Sequence, residues 1–265
     1  MEWSSDLGNY EKCLHSRIKR GHGMGTKSTY KPWLGLRVNP GKATIGTPKG
    51  LITGRMHQLR TSAARTYLYL LERQSDVRDI RELFPILDTS GTLIICAKFG
   101  VAHHYKGVNV EPFLIDFIVT RQVDGQSVDF ARSLRFGSGR AAALREKEFR
   151  VQFEWCRLHG LDWAPVDASG FTDTLQAALV HLRGWSRHRF EADQGSVKEF
   201  SSLFRRCFKP HLTLRELLEA CSVKSGLSFE HADNLFRYAG WHNIIPVDIR
   251  QPLGLSKPLI LLARA

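Results

Sequence analysis

Hydrophobic and polar residues follow two different periods along the first 170 residues. A helical period begins near Ser62, which is placed to cap a helix. Its apolar positions recur every three or four residues: Ala64, Tyr67, Leu68 and Leu71. The stretch VRDIRELFPIL then leads into GTLIICA, whose β-branched residues predict a strand that is broken at Gly100.

Two further strands are predicted by a period of two. In EPFLIDFIVT, one face is entirely apolar, and Asp116 lies on the other face between Leu114 and Ile118, which are also apolar. That apolar face consists of Phe113, Ile115, Phe117 and Val119. QVDGQ predicts a hairpin turn, and SVDFARSLRF predicts the returning strand, with Ala131, Ser133 and Arg135 on one face. Because a carboxylate on an apolar strand face needs a partner, we expect Asp116 to be paired.

The next segment returns to a helical period. GRAAALREKEFRVQFEWCRLHG predicts a long helix that ends at Gly160, and LDWAPV predicts a fourth strand. The order of helix, three strands, helix and strand is typical of an α/β domain in which helices flank a mixed sheet.

A second domain is predicted after PVDASG. FTDTLQAALVHLRGWSRHRF and SVKEFSSLFRRCF read as amphipathic helices. Two more helices follow, with Thr213 and Ser228 as N-caps and Gly226 between them, and IIPVDI with KPLIL could form a wing. The outline is winged-helix-like. The last helix carries acidic as well as basic residues, so a protein-docking role is as compatible with it as a base-reading one.

Length and composition fit this organisation. The chain has 265 residues, 43% hydrophobic and 24% charged, which favours two globular domains. We find no apolar run long enough to span a membrane and no leader-like start, so a cytoplasmic location without membrane partners is expected. Five cysteines without a CxxC pair argue against a disulfide framework or a zinc ribbon.

The positive charge is concentrated near the N-terminus. The net charge is +12, and residues 1–60 contain eleven Lys or Arg against three acids, a net of 11 − 3 = +8. Basic, glycine-rich segments of this kind neutralise phosphates, so DNA is the first partner to consider. The interleaved YKPWLGL predicts that Tyr30, Trp33 and Leu36 anchor the arm on a domain. The predicted DNA contacts are Arg17, Lys19, Arg20, Lys27, Lys31 and Arg55.

Several motifs in this order resemble the TnsA family, the endonuclease subunits of heteromeric transposases. They are SRIKRGHGMG, YKPWL, GRMHQLRTSAAR, LLERQSDVRDIRELFPI, GVAHHYKGV, LIDFIV and REKEFRVQFEWCRLHGLDWAPV. The resemblance implies an α/β fold with a restriction-endonuclease-like (PD-(D/E)xK) core and a C-terminal winged-helix-like domain. It divides the chain into a basic arm packed on the core (1–56), the endonuclease-like domain (57–168) and the C-terminal domain (169–265).

The resemblance also implies a catalytic set, which is altered here. The family uses a helical glutamate, a strand aspartate, and a glutamine and a lysine on the next strand. The matching positions in this chain are Arg65, Asp116, Ser133 and Arg135, so only the aspartate is retained. An arginine repels Mg²⁺, and Arg135 cannot act as a base although it can still grip a phosphate. We therefore expect an inactive centre with no cofactor, in which Arg65 pairs with Asp116.

An active nuclease remains the alternative. A displaced acid could bind Mg²⁺ with Asp116, and the candidates are Glu72, Asp79 and Glu82. Glu72 lies about 10 Å along the helix from Arg65, which disfavours it. For His103 and His104, a structural or DNA-facing loop role is favoured over metal or acid–base chemistry.

The family resemblance implies several partners. They are transposon-end DNA, a DDE transposase of TnsB type and an AAA+ ATPase of TnsC type, with a second, active TnsA-like subunit as a further candidate. A stand-alone DNA-binding regulator built on the same fold is a third possibility.

Overall fold

The computed structural model describes residues 1–35, 46–187 and 190–263. The chain forms two compact units, Met1–Gly170 and Phe171–Ala265. This division falls beside the boundary predicted at PVDASG. The finer division of the first unit at residue 56 stays a prediction.

The first unit is built on a mixed four-stranded sheet with the order β1-β4-β5-β6. The pairs β1–β4 and β4–β5 are antiparallel, and β5–β6 is parallel. A separate two-stranded pair joins β2 and β3. The six strands of the described chain are β1 (Val77–Pro85), β2 (Tyr105–Lys106), β3 (Asn109–Val110), β4 (Leu114–Val123), β5 (Gln126–Arg135) and β6 (Asp162–Asp167).

Helices account for most of the remaining regular structure. In the first unit they are α1 (His15–Lys19), α2 (Ser62–Glu72), α3 (Thr89–Phe99) and α4 (Gly139–Leu158). In the second unit they are α5 (Asp173–Leu182), α6 (Gln194–Cys207), α7 (Leu214–Ser225) and α8 (Phe229–Trp241). The N-cap of α2 is Thr61, whose side chain accepts from the Ala64 N–H, and not Ser62.

The predicted strand in GTLIICA is wrong, because this segment lies in α3. The strand of this region is β1, which covers the preceding VRDIRELFP. The Asp88 side chain caps α3 by accepting from the Gly91 N–H, and Gly100 ends it in the left-handed conformation with φ 62°. These two caps stabilise the backbone of a helix. The prediction of a strand considered only the β-branched side chains and not the caps. The hairpin between β4 and β5, helix α4 and strand β6 lie where the sequence predicts them.

Helices cover both faces of the sheet. On one face, α3 and α4 pack on the sheet through a buried cluster that contains Ile95, Ile118, Ala131 and Trp155. On the other, Tyr67 of α2 packs edge-on against Phe117, with ring centroids 5.3 Å apart. The face that carries Asp116 therefore lies towards α4, since neighbouring strand residues point to opposite faces.

Residues of the N-terminal segment pack on this unit. Tyr30 and Trp33 are 3% and 2% exposed, and the Tyr30 hydroxyl donates to the Glu82 carbonyl at 3.0 Å. Leu36, the third predicted anchor, lies outside the described residues.

The second unit is mainly helical. Thr213 and Ser228 cap α7 and α8, and Gly226 ends α7 in the left-handed conformation, all as predicted. The predicted wing is present only as a short antiparallel contact around the bridge between Val247 and Leu261. The winged-helix interpretation stays a prediction.

Two further expectations can be compared with the structure. All five cysteines are free thiols. Among the helices described, none has the length and apolarity needed to cross a membrane.

Candidate functional site

Asp116 lies on β4 and has two hydrogen-bond donors. Its Oδ2 accepts from the Leu134 N–H at 2.6 Å and from Arg145 Nη2 at 2.6 Å. Burial raises the pKa of Asp116, and the Arg145 charge and the Leu134 N–H only partly oppose this effect. The expected pairing with Arg65 is wrong, because the cation on Asp116 is Arg145 of α4.

Arg145 joins Asp116 to a second carboxylate. Its Nη1 donates to Glu148 Oε2 at 2.7 Å, one turn further along α4. Although burial opposes its charge, Asp116 and Glu148 raise the pKa of Arg145, so the guanidinium stays protonated. Burial also disfavours ionised Glu148, but hydrogen bonds from His104 and Arg145 lower its pKa overall.

The two loop histidines have structural contacts. His104 Nε2 lies 3.1 Å from Glu148 Oε1, and His103 Nε2 lies 2.9 Å from the Thr92 hydroxyl. Both rings pack against Phe113, at 4.8 Å for His103 and 4.4 Å for His104. Burial lowers the pKa of His103. These contacts attach the loop before β4 to α3 and α4, which agrees with a structural role for the two histidines.

Ser133 points into the protein interior. It is fully buried, and its hydroxyl donates to Gln152 Oε1 at 2.6 Å. The Gln152 amide group donates in turn to the Leu114 carbonyl at 3.0 Å. Ser133 thus helps to hold α4 on the sheet and is turned away from solvent.

Arg135 is more exposed than Ser133 and is paired with Glu146. Its Nε and Nη2 donate to the two carboxylate oxygens of Glu146, at 2.7 and 3.1 Å. This hydrogen-bonded pair raises the pKa of Arg135. The side chain is 49% exposed, so solvent or a phosphate can still approach it.

Arg65 lies in the first half of α2, and its backbone N–H bonds to the Thr61 carbonyl at 3.2 Å. The face of β4 that α2 covers is the one with Phe117, opposite to Asp116. The structure therefore brings Asp116, Ser133 and Arg135 together with α4, and it does not bring Arg65 into contact with Asp116.

Comparison with known proteins shows a similarity to a transposition protein over part of the chain. No family model matches the chain. A stretch of 145 residues, 54% of this chain, is 34% identical to the transposon Tn7 transposition protein TnsA of Escherichia coli. Over this stretch, the chain resembles TnsA. It spans about half the length of that relative, since the match covers 50% of the latter.

The TnsA-like resemblance implies Mg²⁺, and the residues present do not fit it. The Asp116 oxygen that faces α4 already contacts a guanidinium at 2.6 Å, where a divalent cation would meet direct repulsion. Among the described residues, no group of three or more His, Cys, Asp or Glu side chains is arranged to hold a metal ion.

The three displaced-acid candidates are engaged elsewhere. Glu72 accepts from the Leu51 N–H at 2.6 Å, and Asp79 accepts from the Lys27 N–H at 3.0 Å. Glu82 lies in a buried cluster on the face of β4 away from Asp116, because it pairs with Phe117 in the β1–β4 register. All three side chains are buried.

The Glu82 cluster is a feature that sequence reasoning missed. Glu82 receives both Nη groups of Arg55 at 2.8 and 2.5 Å, His57 Nδ1 at 2.7 Å and the Gln58 N–H at 2.8 Å. Burial alone would raise the pKa of Glu82, but these donors lower it to about 2. The sequence did contain both halves of this cluster, since Arg55, His57 and Gln58 lie in GRMHQL and Glu82 lies in RELFP. The cluster attaches the segment around Arg55 to β1.

The predicted DNA contacts differ in their surroundings. Lys19, Arg20, Lys27 and Lys31 are exposed, and Lys31 Nζ donates to the Arg20 carbonyl at 2.9 Å. Arg17 is half-buried, pairs with Glu111 at 2.9 Å and lies 5.0 Å from the Trp33 ring centroid. The Arg55 side chain is only 8% exposed and is paired with Glu82. Four of the six side chains therefore present their charge to solvent, whereas Arg55 has the contacts of a structural residue.

Proposed function

We propose that this chain is a DNA transposition protein of TnsA type that binds transposon-end DNA without cutting it. The observation that carries the proposal is the 34% identity to TnsA over 145 residues. The mixed sheet flanked by helices supports a restriction-endonuclease-like core for the first unit. For the second unit we propose a winged-helix-like domain, on the basis of its paired helices α7 and α8.

The loss of cleavage is supported by the contacts of the four matched positions. Asp116 is paired with Arg145, Ser133 is bonded to Gln152, and Arg135 is bonded to Glu146. The glutamate position carries Arg65. These side chains lack a second free carboxylate for Mg²⁺ and a neutral base for the attacking water.

The remaining role is architectural. The exposed cations of the N-terminal segment supply a surface for DNA phosphates. By resemblance, the protein partners are a DDE transposase of TnsB type and an AAA+ ATPase of TnsC type. A second, active TnsA-like subunit would make the cuts at the 5′ ends. We place the whole assembly in the cytoplasm.

The test is a cleavage and transposition experiment. Purified protein, with Mg²⁺ or Mn²⁺, should leave labelled transposon-end DNA uncut. In cells, Asp116→Ala should keep insertion frequency near the wild-type value, because the residue has no metal to bind, while deletion of the gene should impair insertion. The readouts are gel analysis of the DNA and counts of insertions.

The product type adds a control. If no other nuclease is present, uncut 5′ strands should give cointegrates, while simple insertions indicate an active partner subunit. Metal-dependent cleavage that Asp116→Ala abolishes would instead support the active endonuclease. If the protein acts in cells that lack both the transposase and the ATPase, it is instead a stand-alone DNA-binding regulator.

A further inference from the structure

Arg145 lies between two carboxylates from different elements. Its Nη2 reaches Asp116 of β4 at 2.6 Å, and its Nη1 reaches Glu148 of α4 at 2.7 Å. A hard divalent cation commonly binds through one or two carboxylates and completes its shell with water. One guanidinium here occupies the place between the two acids that such a cation would need.

The position of this guanidinium is fixed by more than the two ion pairs. It lies 4.9 Å from the Phe149 ring centroid, and the neighbouring groups are also held. The Leu134 N–H donates to the same Asp116 oxygen at 2.6 Å, and His104 contacts the other Glu148 oxygen at 3.1 Å. Arg145 is only 24% exposed. The contacts are those of a built interior site and not of a mobile surface side chain.

The charge of Arg145 also takes part of the role of a metal ion. Asp116 and Glu148 contribute two negative charges, and Arg145 compensates one of them. Without Arg145, two carboxylates would face each other in a partly buried space, which is costly unless a cation takes its place.

We propose that Arg145 is the built-in cation of this site, and that removing its charge opens a divalent-cation site between Asp116 and Glu148. The inference deepens the proposed function and rests on it, because it explains how a TnsA-like chain keeps its strand carboxylate without a metal. Arg145 is a positioning residue in this account. It holds the ends of β4, β5 and α4 together in place of Mg²⁺.

The experiment uses the full chain without DNA and takes Mn²⁺ as the probe. Mn²⁺ binding is measured by calorimetry, and thermal unfolding is followed with and without Mn²⁺. We expect Arg145→Gln to bind about one Mn²⁺ per chain and, at about 100 times Kd, to gain roughly 5–10 °C in Tm. The wild type should show neither effect.

Three control variants make the result specific. Arg157→Gln is matched, since Arg157 lies on the same helix and pairs with Glu154 three residues before it at 2.9 Å, and it should not bind Mn²⁺. Asp116→Asn combined with Arg145→Gln should lose the gained binding. Arg145→Lys keeps a positive charge and should stay indifferent to Mn²⁺.

Several outcomes would overturn the inference. They are Asp116-dependent Mn²⁺ binding by the wild type, a folded Arg145→Gln protein that binds no Mn²⁺, and an Arg145→Gln protein that stays unfolded even in Mn²⁺. Folding of that variant in Mn²⁺ but not in EDTA would support it. Because no DNA is present, a negative result leaves the proposed transposition role standing, and only metal-dependent DNA cleavage would remove the claim of an inactive centre.

Discussion

Glu82 lies on the edge strand β1 and Asp116 on the inner strand β4, and their surroundings move their pKa values in opposite directions. Burial disfavours the charged form of each. Glu82 has four donors from three residues, which lower its pKa to about 2. Asp116 has two donors, and burial prevails. The larger number of donors around Glu82 accounts for the opposite directions of the two pKa shifts.

This difference predicts how stability depends on pH. The pKa of Glu82 falls from 4.5 to about 2 on folding, so its contribution is present above pH 4.5 and is lost as the pH falls towards 2. The shift is equivalent to about 3 kcal/mol. Glu82→Gln should lower the free energy of unfolding by about 3–5 kcal/mol near pH 7, because Arg55 and His57 lose a buried partner. Urea denaturation at several pH values measures this loss.

Asp76→Asn is the control for Glu82→Gln. Asp76 pairs with Arg121 at 2.7 Å, but their side chains are 38% and 36% exposed. Its removal should cost less than about 1 kcal/mol. Glu82→Gln should also flatten the dependence of stability on pH between pH 4.5 and about pH 2. Equal losses from the two variants would show that the buried cluster is not a major source of stability.

At the scale of the element, α3 shows that backbone caps can outweigh side-chain composition. A Cβ at Gly91 would lie 2.1 Å from Asp88 Oδ2, so only glycine allows this close cap. Asp88 Oδ1 accepts from the Gly91 N–H at 2.8 Å, while Oδ2 accepts from Trp155 Nε1 at 3.0 Å. One carboxylate thus starts α3 and attaches it to α4.

Asp88→Ala should therefore cost more than the loss of an ordinary cap. The cap contributes about 1 kcal/mol, and an unpaired Trp155 N–H in the interior adds about 1–3 kcal/mol. Asp88→Asn should fall between wild type and Ala, since one oxygen is kept. Asp193→Ala, which removes only the exposed cap of α6, should cost less than Asp88→Ala. Urea denaturation followed by circular dichroism compares them, and equal costs for the two alanine variants would contradict the double role of Asp88.

How far the sequence predicts these elements depends on the range of the interactions. Strands β4 and β5 follow from alternation and a local turn, and the caps of α7 and α8 follow from single polar residues. The strand in GTLIICA was predicted wrongly because its continuous apolar run, Leu93 to Ala97, has no period, while the caps at Asp88 and Gly100 were present in the sequence but were given less weight. The partner of Asp116 could not be predicted, because Arg145 is 29 residues away and meets it only once α4 packs on the sheet.

At the scale of the whole molecule, the charge distribution limits where DNA can bind. The net charge is +12, but several cations of the first unit are consumed by internal acids, such as Arg55 by Glu82, Arg81 by Asp129 and Arg145 by Asp116. The exposed cations Lys19, Arg20, Lys27 and Lys31 keep their charge available to solvent. These four residues are therefore better candidates for phosphate contacts than Arg55.

Affinity for transposon-end DNA should consequently fall steeply with salt. Each phosphate contact contributes about 0.9 to the slope of log K against log salt concentration, so changing these four residues to Gln should reduce the slope by up to about 3.6 and weaken binding.

The control changes Lys198, Arg206, Lys209 and Lys224 to Gln, which removes the same charge from exposed positions of the second unit. Fluorescence anisotropy at several salt concentrations measures both sets. If a general positive field attracts DNA, the two quadruple variants will lose affinity equally, whereas a specific surface on the N-terminal segment requires a larger change in slope for the first set. A larger change in slope for the second set would instead place the DNA contact on the second unit. It would also favour base reading over protein docking for that unit.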